Sequence, residues 1–186
     1  MGMSAQDKML HVANRLGLTS LKDMQGTTRM VYDSITTAST NFTLFKGASQ
    51  RAFPLTNVGA NGNQFQVDEA LLVEKIAFFQ PSDTDGAIYA GLSGSGFSVK
   101  FDLVIGNKTV LKDVACELGG EQAFYNDSGV LSGVIDLEGV GILIPPQVEY
   151  YVVAKTYVTP TRVAFSTRLG CYLFGTGALL NFNTTI

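Results

Sequence analysis

Residues 97–105 read Phe97-Ser-Val-Lys-Phe-Asp-Leu-Val-Ile105. Phe97, Val99, Phe101, Leu103 and Ile105 alternate with Ser98, Lys100, Asp102 and Val104. A period of two turns successive side chains to opposite faces, so this is a strand with one face in a core. Gly106-Asn107 follows, and then Lys108 to Val114. Gly-Asn between two strand-like runs predicts a two-residue hairpin, because glycine takes positive φ without a steric cost.

The same grammar extends in both directions from that hairpin. Upstream, Thr27–Thr40, Asn41–Lys46, Asn63–Val67 and Leu71–Gln80 are rich in residues that suit a pleated surface. Downstream candidates are Val130–Leu137, Gly139–Ile144, Val148–Val158, Arg162–Phe174 and Ala178–Phe182. Pro145-Pro146 cannot donate to a ladder and separates two of them. The run Val148–Val158 is apolar enough to be buried on both faces. About eight to ten strands at short spacing, with no helical pattern between them and no internal repeat, indicate an all-β antiparallel sandwich or barrel.

The first thirty residues differ. Ser4-Ala-Gln-Asp7 is a helix start, the Ser4 hydroxyl accepting from the amide three residues on. Met9, Val12, Ala13 and Leu16 follow with helical spacing as one apolar stripe, and Gly17 is a natural stop. Ser20-Leu-Lys-Asp23 repeats the start signal. Lys8, His11 and Arg15 are expected to share a face opposite the stripe. Residues 1–30 carry four basic and two acidic side chains, whereas the whole chain is −3. The division is a helical or extended assembly arm over residues 1–30 and a β-domain over 31–186. The arm residues expected to make contacts are Lys8, Met9, His11, Val12, Ala13, Arg15 and Leu16.

Composition narrows the function. At 186 residues the chain can bury roughly 70% of its unfolded surface, so it needs no disulfide or metal to hold it. Charged residues are 16% of the chain and mean hydropathy is +0.19, against about 25% charged in ordinary soluble domains. No apolar run approaches the ~20 residues of a spanning helix. The low charge fits a Ser/Thr/Asn/Gly surface, or one partly buried in an assembly; assembly is the favoured reading. A net charge of −3 argues against coating nucleic acid, which takes many Lys and Arg, and no sequence-specific nucleic-acid partner is expected. No signal peptide is visible. Cys116 and Cys171 match no CxxC or zinc spacing and read as buried thiols of a protein made in a reducing cytoplasm.

Catalytic machinery is sparse. A nucleophilic triad needs a base, usually histidine, and His11 is the one histidine. Gly91-Leu-Ser-Gly-Ser-Gly96 lacks the Lys-Ser/Thr ending of a phosphate loop and precedes a strand. Asp83 and Asp85 before Gly86 offer oxygens to a hard cation, but Asp-Gly is foremost a turn. Asp136 and Glu138 fall on one strand face, as a glycosidase pair would, though a solvent-facing edge explains them as well. Tyr150, Tyr151, Tyr157, Tyr172 and Phe174 are sugar-stacking candidates if exposed and core if not. The expectation is no enzyme, no catalytic site, no metal and no cofactor.

A short arm followed by eight-odd strands, few charges, many Gly, Thr and Asn, and the ending Leu169-Gly-Cys-Tyr-Leu-Phe174 before Gly175-Thr-Gly177 resembles viral single jelly-roll proteins: capsid subunits, capsid decoration proteins and phage head or tail β-domains. The resemblance covers about residues 27–186. It implies a jelly-roll sandwich and a virion structural protein. Its partners would be its own copies, as a homo-oligomer of three or more, and other virion proteins. It would be made in the host cytoplasm and located in the virion. Basic arms are common in RNA-virus coats; the +2 arm here departs from them and favours a DNA-phage-like virion. The alternatives are a carbohydrate- or receptor-binding β-sandwich, as on a phage tail, and a β-sandwich hydrolase with scattered acids.

Overall fold

A computed structural model describes residues 4–18, 21, 24–37, 39, 41–48, 51, 55–58, 62–79, 97–118, 134–137, 141–158, 161–162 and 169–180. Among the described residues, one helix, α1 (Ala5–Leu16), precedes ten strands: β1 (Met24–Ile35), β2 (Asn41–Leu44), β3 (Glu69–Phe79), β4 (Phe97–Ile105), β5 (Lys108–Leu118), β6 (Val134–Asp136), β7 (Ile142–Ile144), β8 (Tyr150–Val158), β9 (Thr161–Arg162) and β10 (Leu169–Leu180).

The strands form two antiparallel sheets. One has the order β1-β10-β3-β6, with β7 also on β3; the other has β2-β8-β4-β5, with β9 also on β8. β6 and β7 lie end to end along β3, opposite residues 75–77 and 71–73, and act as one edge strand in two pieces. The pairings β4–β5, β3–β6/β7, β2–β8 and β1–β10 are then those of one long antiparallel hairpin rolled into two sheets. This is the jelly roll. Its tip is the β4–β5 hairpin, where Ile105 pairs Lys108 across Gly106-Asn107 and Gly106 has φ +60.

The core lies between the sheets. Val31, Leu71, Val73, Ile76, Phe78, Leu169, Cys171 and Leu173 face Phe42, Leu44, Val99, Phe101, Leu103, Cys116, Val152 and Ala154. Val99, Phe101 and Leu103 are buried as expected and Ile105 packs against them half-buried; the Phe97 side chain lies outside the described residues. Phe101 meets Phe78 with ring centroids 4.9 Å apart, joining the sheets.

Several boundaries differ from the sequence reading, each for a physical reason. β1 starts at Met24 and so crosses the expected arm boundary at residue 30. Residues 63–67 are not a strand. Gly62 takes φ +67, residues 67–68 turn, and Phe65 is a core plug stacked on Tyr150 at 5.2 Å. β8 is not buried on both faces, since Tyr151, Val153 and Lys155 alternate half-buried with buried Tyr150, Val152 and Ala154. β10 runs unbroken through Gly175 and Gly177, where a break was expected. A Cβ at Gly175 would sit 1.9 Å from the Leu72 carbonyl oxygen. That glycine therefore marks a close approach of two strands, and the register shifts there. The shift is a β-bulge around Glu74: Leu71 and Val73 point inward before it, Ile76 and Phe78 after it.

Candidate assembly surfaces

The arm helix is built as its sequence dictates. The Ser4 hydroxyl accepts from the Asp7 amide at 3.2 Å, and donates to the Asp7 carboxylate at 2.6 Å. Asp7 in the first turn and Arg15 in the last complement the helix dipole. Gly17, at φ +71, ends the helix with its own amide on Asn14 O and the Leu18 amide on Ala13 O, a Schellman closure.

The stripe rests on the helix's own domain. Val12 and Ala13 are buried. With Met9 and Leu16, Val12 packs near Ala70, Leu72, Ala178, Met24, Leu143 and Leu180 on the outer face of the β1-β10-β3 sheet. A Cβ at Gly26 would meet Met9 Sδ at 2.8 Å, so a side chain there would push aside the flexible end of Met9.

The basic residues do not stand opposite the stripe. At ~100° per residue the centre of Lys8, His11 and Arg15 falls ~120° from that of the stripe, which puts them on a flank of the helix. Lys8 Nζ lies 2.9 Å from Glu74 Oε1, and the Thr176 hydroxyl donates to the same oxygen at 2.8 Å. Glu74 is the residue the β-bulge turns outward, so the bulge and the helix clip are one device. His11 Nε2 is buried and has no hydrogen-bond partner. Arg15 is exposed, as is Leu10 on the outer side.

Other polar groups close the ends of the sandwich. The buried Asp33 carboxylate accepts from the Phe45 amide at 2.6 Å and from Arg51 Nε at 2.8 Å, and also pairs Arg51 through its second nitrogen. That holds Phe45 in the left-handed region at φ +71. Around Met30–Ser34 the free edge of β1 is covered by residues 55–57: Asn57 Oδ1 accepts from the Tyr32 amide and Thr56 Oγ1 donates to the Tyr32 carbonyl. That stretch of the edge is closed to strand addition. At the other end Arg29 pairs Glu69 at 3.0 Å and lies 4.7 Å over the Phe65 ring.

Burial redistributes the remaining candidates. Tyr150 is core, and burial pushes its phenol well above its ordinary range. Tyr172 is nearly buried beside Tyr32, with ring centroids 5.6 Å apart. Tyr151 and Phe174 are half-buried; the Tyr157 side chain lies outside the described residues. Cys116 and Cys171 are buried free thiols, as expected. Burial, and then Cys116, push the Cys171 thiol well up. Asp136 pairs Lys75 at 3.4 Å. Asp83, Asp85, the Gly91–Gly96 loop, Glu138 and Ser20, Lys22 and Asp23 lie outside the described residues. Among the described residues no group of three or more His, Cys, Asp or Glu is placed to hold a metal, and no helix is long and apolar enough to cross a membrane.

The outer face of the second sheet gathers residues that the sequence reading took separately. Its alternation turns Tyr151, Val153 and Lys155 of β8, Lys100, Asp102 and Val104 of β4, and Asn41 and Thr43 of β2 away from the core. Lys46 Nζ sits 5.3 Å over the Tyr151 ring.

No family model matches the chain, and no curated protein matches it. Among solved structures, a chain in the structure of infectious bursal disease virus Gt strain aligns over 87% of this chain at 8% identity, with a TM-score of 0.34. This chain spans 33% of the length of that one. A likeness of that size carries no argument, and the fold rests on the strand pairing described above.

Proposed function

We propose that this chain is a virion structural protein, a capsid or capsid-associated subunit that self-assembles or binds neighbouring virion proteins. The observation that supports this best is the jelly-roll wrap with a terminal helix laid on its outer sheet. One fold hosts many functions, so the arm matters more than the sandwich. It is held by three stripe residues, Met9, Val12 and Leu16, and one ion pair. That contact is small enough to be exchanged for the same contact on a neighbouring copy. The protein works by binding, with no catalytic step and no cofactor, and its location is the virion.

The test is deletion of residues 1–17, which leaves β1 whole from Met24. The expected result is a smaller assembly from a still-folded sandwich. Unchanged assembly size and stability would show that the arm is not an assembly element. Turnover of a glycan by a monomeric preparation would overturn the non-catalytic reading.

A further inference from the structure

Among the described residues each sheet has two edges, and three of these four are blunted. β1 is covered around Met30–Ser34 by residues 55–57. β6 and β7 are pieces of three residues each, and β2 and β9 are four and two residues long. β5 differs. It runs eleven residues and pairs β4, and no strand among the described residues lies along its other side. Lys108, Thr109, Val110, Lys112, Asp113 and Ala115 are exposed, Val110 at 43%. In an antiparallel ladder every second residue directs its amide and carbonyl away from the neighbouring strand. β5 therefore offers a row of backbone donors and acceptors to a further strand.

The charges on β5 select that strand. Leu111 pairs Leu103 and Val114 pairs Phe101, so Lys112 and Asp113 together stand opposite Asp102 alone. This is a bulge: Leu111 and Val114 both pack on the core, and Asp113 takes φ +51 with its amide donating to Asp102 Oδ1 at 2.7 Å. Neither the Lys112 nor the Asp113 side chain has an ion pair among the described residues. A bulge ordinarily blunts an edge by twisting it. Two copies related by a two-fold axis through the bulge bring the same twist to each other, so it no longer keeps them apart. Core-facing residues then lie beside core-facing residues, as a continuous sheet requires.

We propose that β5 docks a second copy of this chain edge to edge, the two β5 strands antiparallel about a two-fold axis at Lys112–Asp113. Lys112 of each copy faces Asp113 of the other, Leu111 faces Val114, and Val110 faces Ala115. Opposite charges and apolar pairs set directly across a ladder each stabilise it, and the patch is complementary to itself, as a two-fold contact demands. Combined with the arm contact, this one builds an assembly larger than a dimer. The inference deepens the assembly reading and rests on it.

Sedimentation of the full chain, with Lys112→Glu, Asp113→Lys and an equal mixture of the two variants, tests the pairing. Lys112→Glu makes the centre of the contact wholly acidic and Asp113→Lys makes it wholly basic. Each alone is expected to associate about tenfold more weakly than the wild type. In the mixture an acidic centre faces a basic one, and association is expected to recover. Lysine at position 113 must take positive φ; if that variant fails to fold, Val110→Asp, on an exposed side chain, replaces it and is expected to weaken association by a similar factor. Single variants that associate like the wild type, or a mixture no tighter than its components, would overturn this pairing while leaving assembly standing. A wild type that stays monomeric removes both.

Discussion

Phe101 is 1% exposed and touches Phe78 across the two sheets. Phe101→Ala is expected to cost ~3–5 kcal/mol in denaturant unfolding; a loss under ~1 kcal/mol would mean the sheets do not meet there. Asp33 makes a different argument. Its carboxylate is wholly buried and is compensated by Arg51 and the Phe45 amide. Arg51→Met strands that charge and is expected to cost ~3 kcal/mol. Nothing in the sequence showed this pair, because Asp33 sits in a strand pattern and its partner is eighteen residues away. Cys171 and Tyr150 set an alkaline limit. Burial raises both above their unfolded values, so the folded state keeps its proton where the unfolded state loses it. Their contribution is fully present below the unfolded values and declines as pH rises beyond ~9. Unfolding free energy is expected to fall from pH 9 upward, and Cys171→Ala to flatten the first part of that fall. A slope unchanged in the variant would contradict the assignment.

At the scale of elements, glycine separates what sequence shows from what it hides. A Cβ at Gly175 would meet backbone, the Leu72 carbonyl, whereas at Gly26 it would meet the flexible end of Met9. Gly175→Ala is therefore expected to cost several kcal/mol and Gly26→Ala nearer 1 kcal/mol, measured by thermal unfolding; equal costs would show that β3 and β10 part easily. In sequence both glycines are only interruptions, which is why β10 reads there as two strands. The β4–β5 hairpin was legible because one face is buried, giving a clean period of two around Gly106. The helix was legible from Ser4 and Gly17, which act within a few residues. The Glu74 bulge was not. It switches the inward face of β3 in the middle of Leu71–Phe79, and only its pairing with β10 requires it. The Lys8–Glu74 clip was hidden for the same reason, joining groups sixty-six residues apart.

For the whole molecule, the two outer sheet faces differ. One carries α1, clipped by Lys8 to Glu74. The other turns Tyr151, Val153 and Lys155 of β8 and Lys100 and Asp102 of β4 away from the core. An all-β sandwich or barrel was readable from strand number and spacing, and the resemblance to viral jelly rolls implied the wrap. The surfaces were not, since they arise where the rolled hairpin sets β8 beside β4 and β10 beside β3. The central claim is that this chain acts by assembling. Native mass measurement of the full-length chain across micromolar concentrations tests it most directly. The account predicts a closed oligomer of three copies or more, or a larger shell; a single monomer mass at every concentration would contradict it.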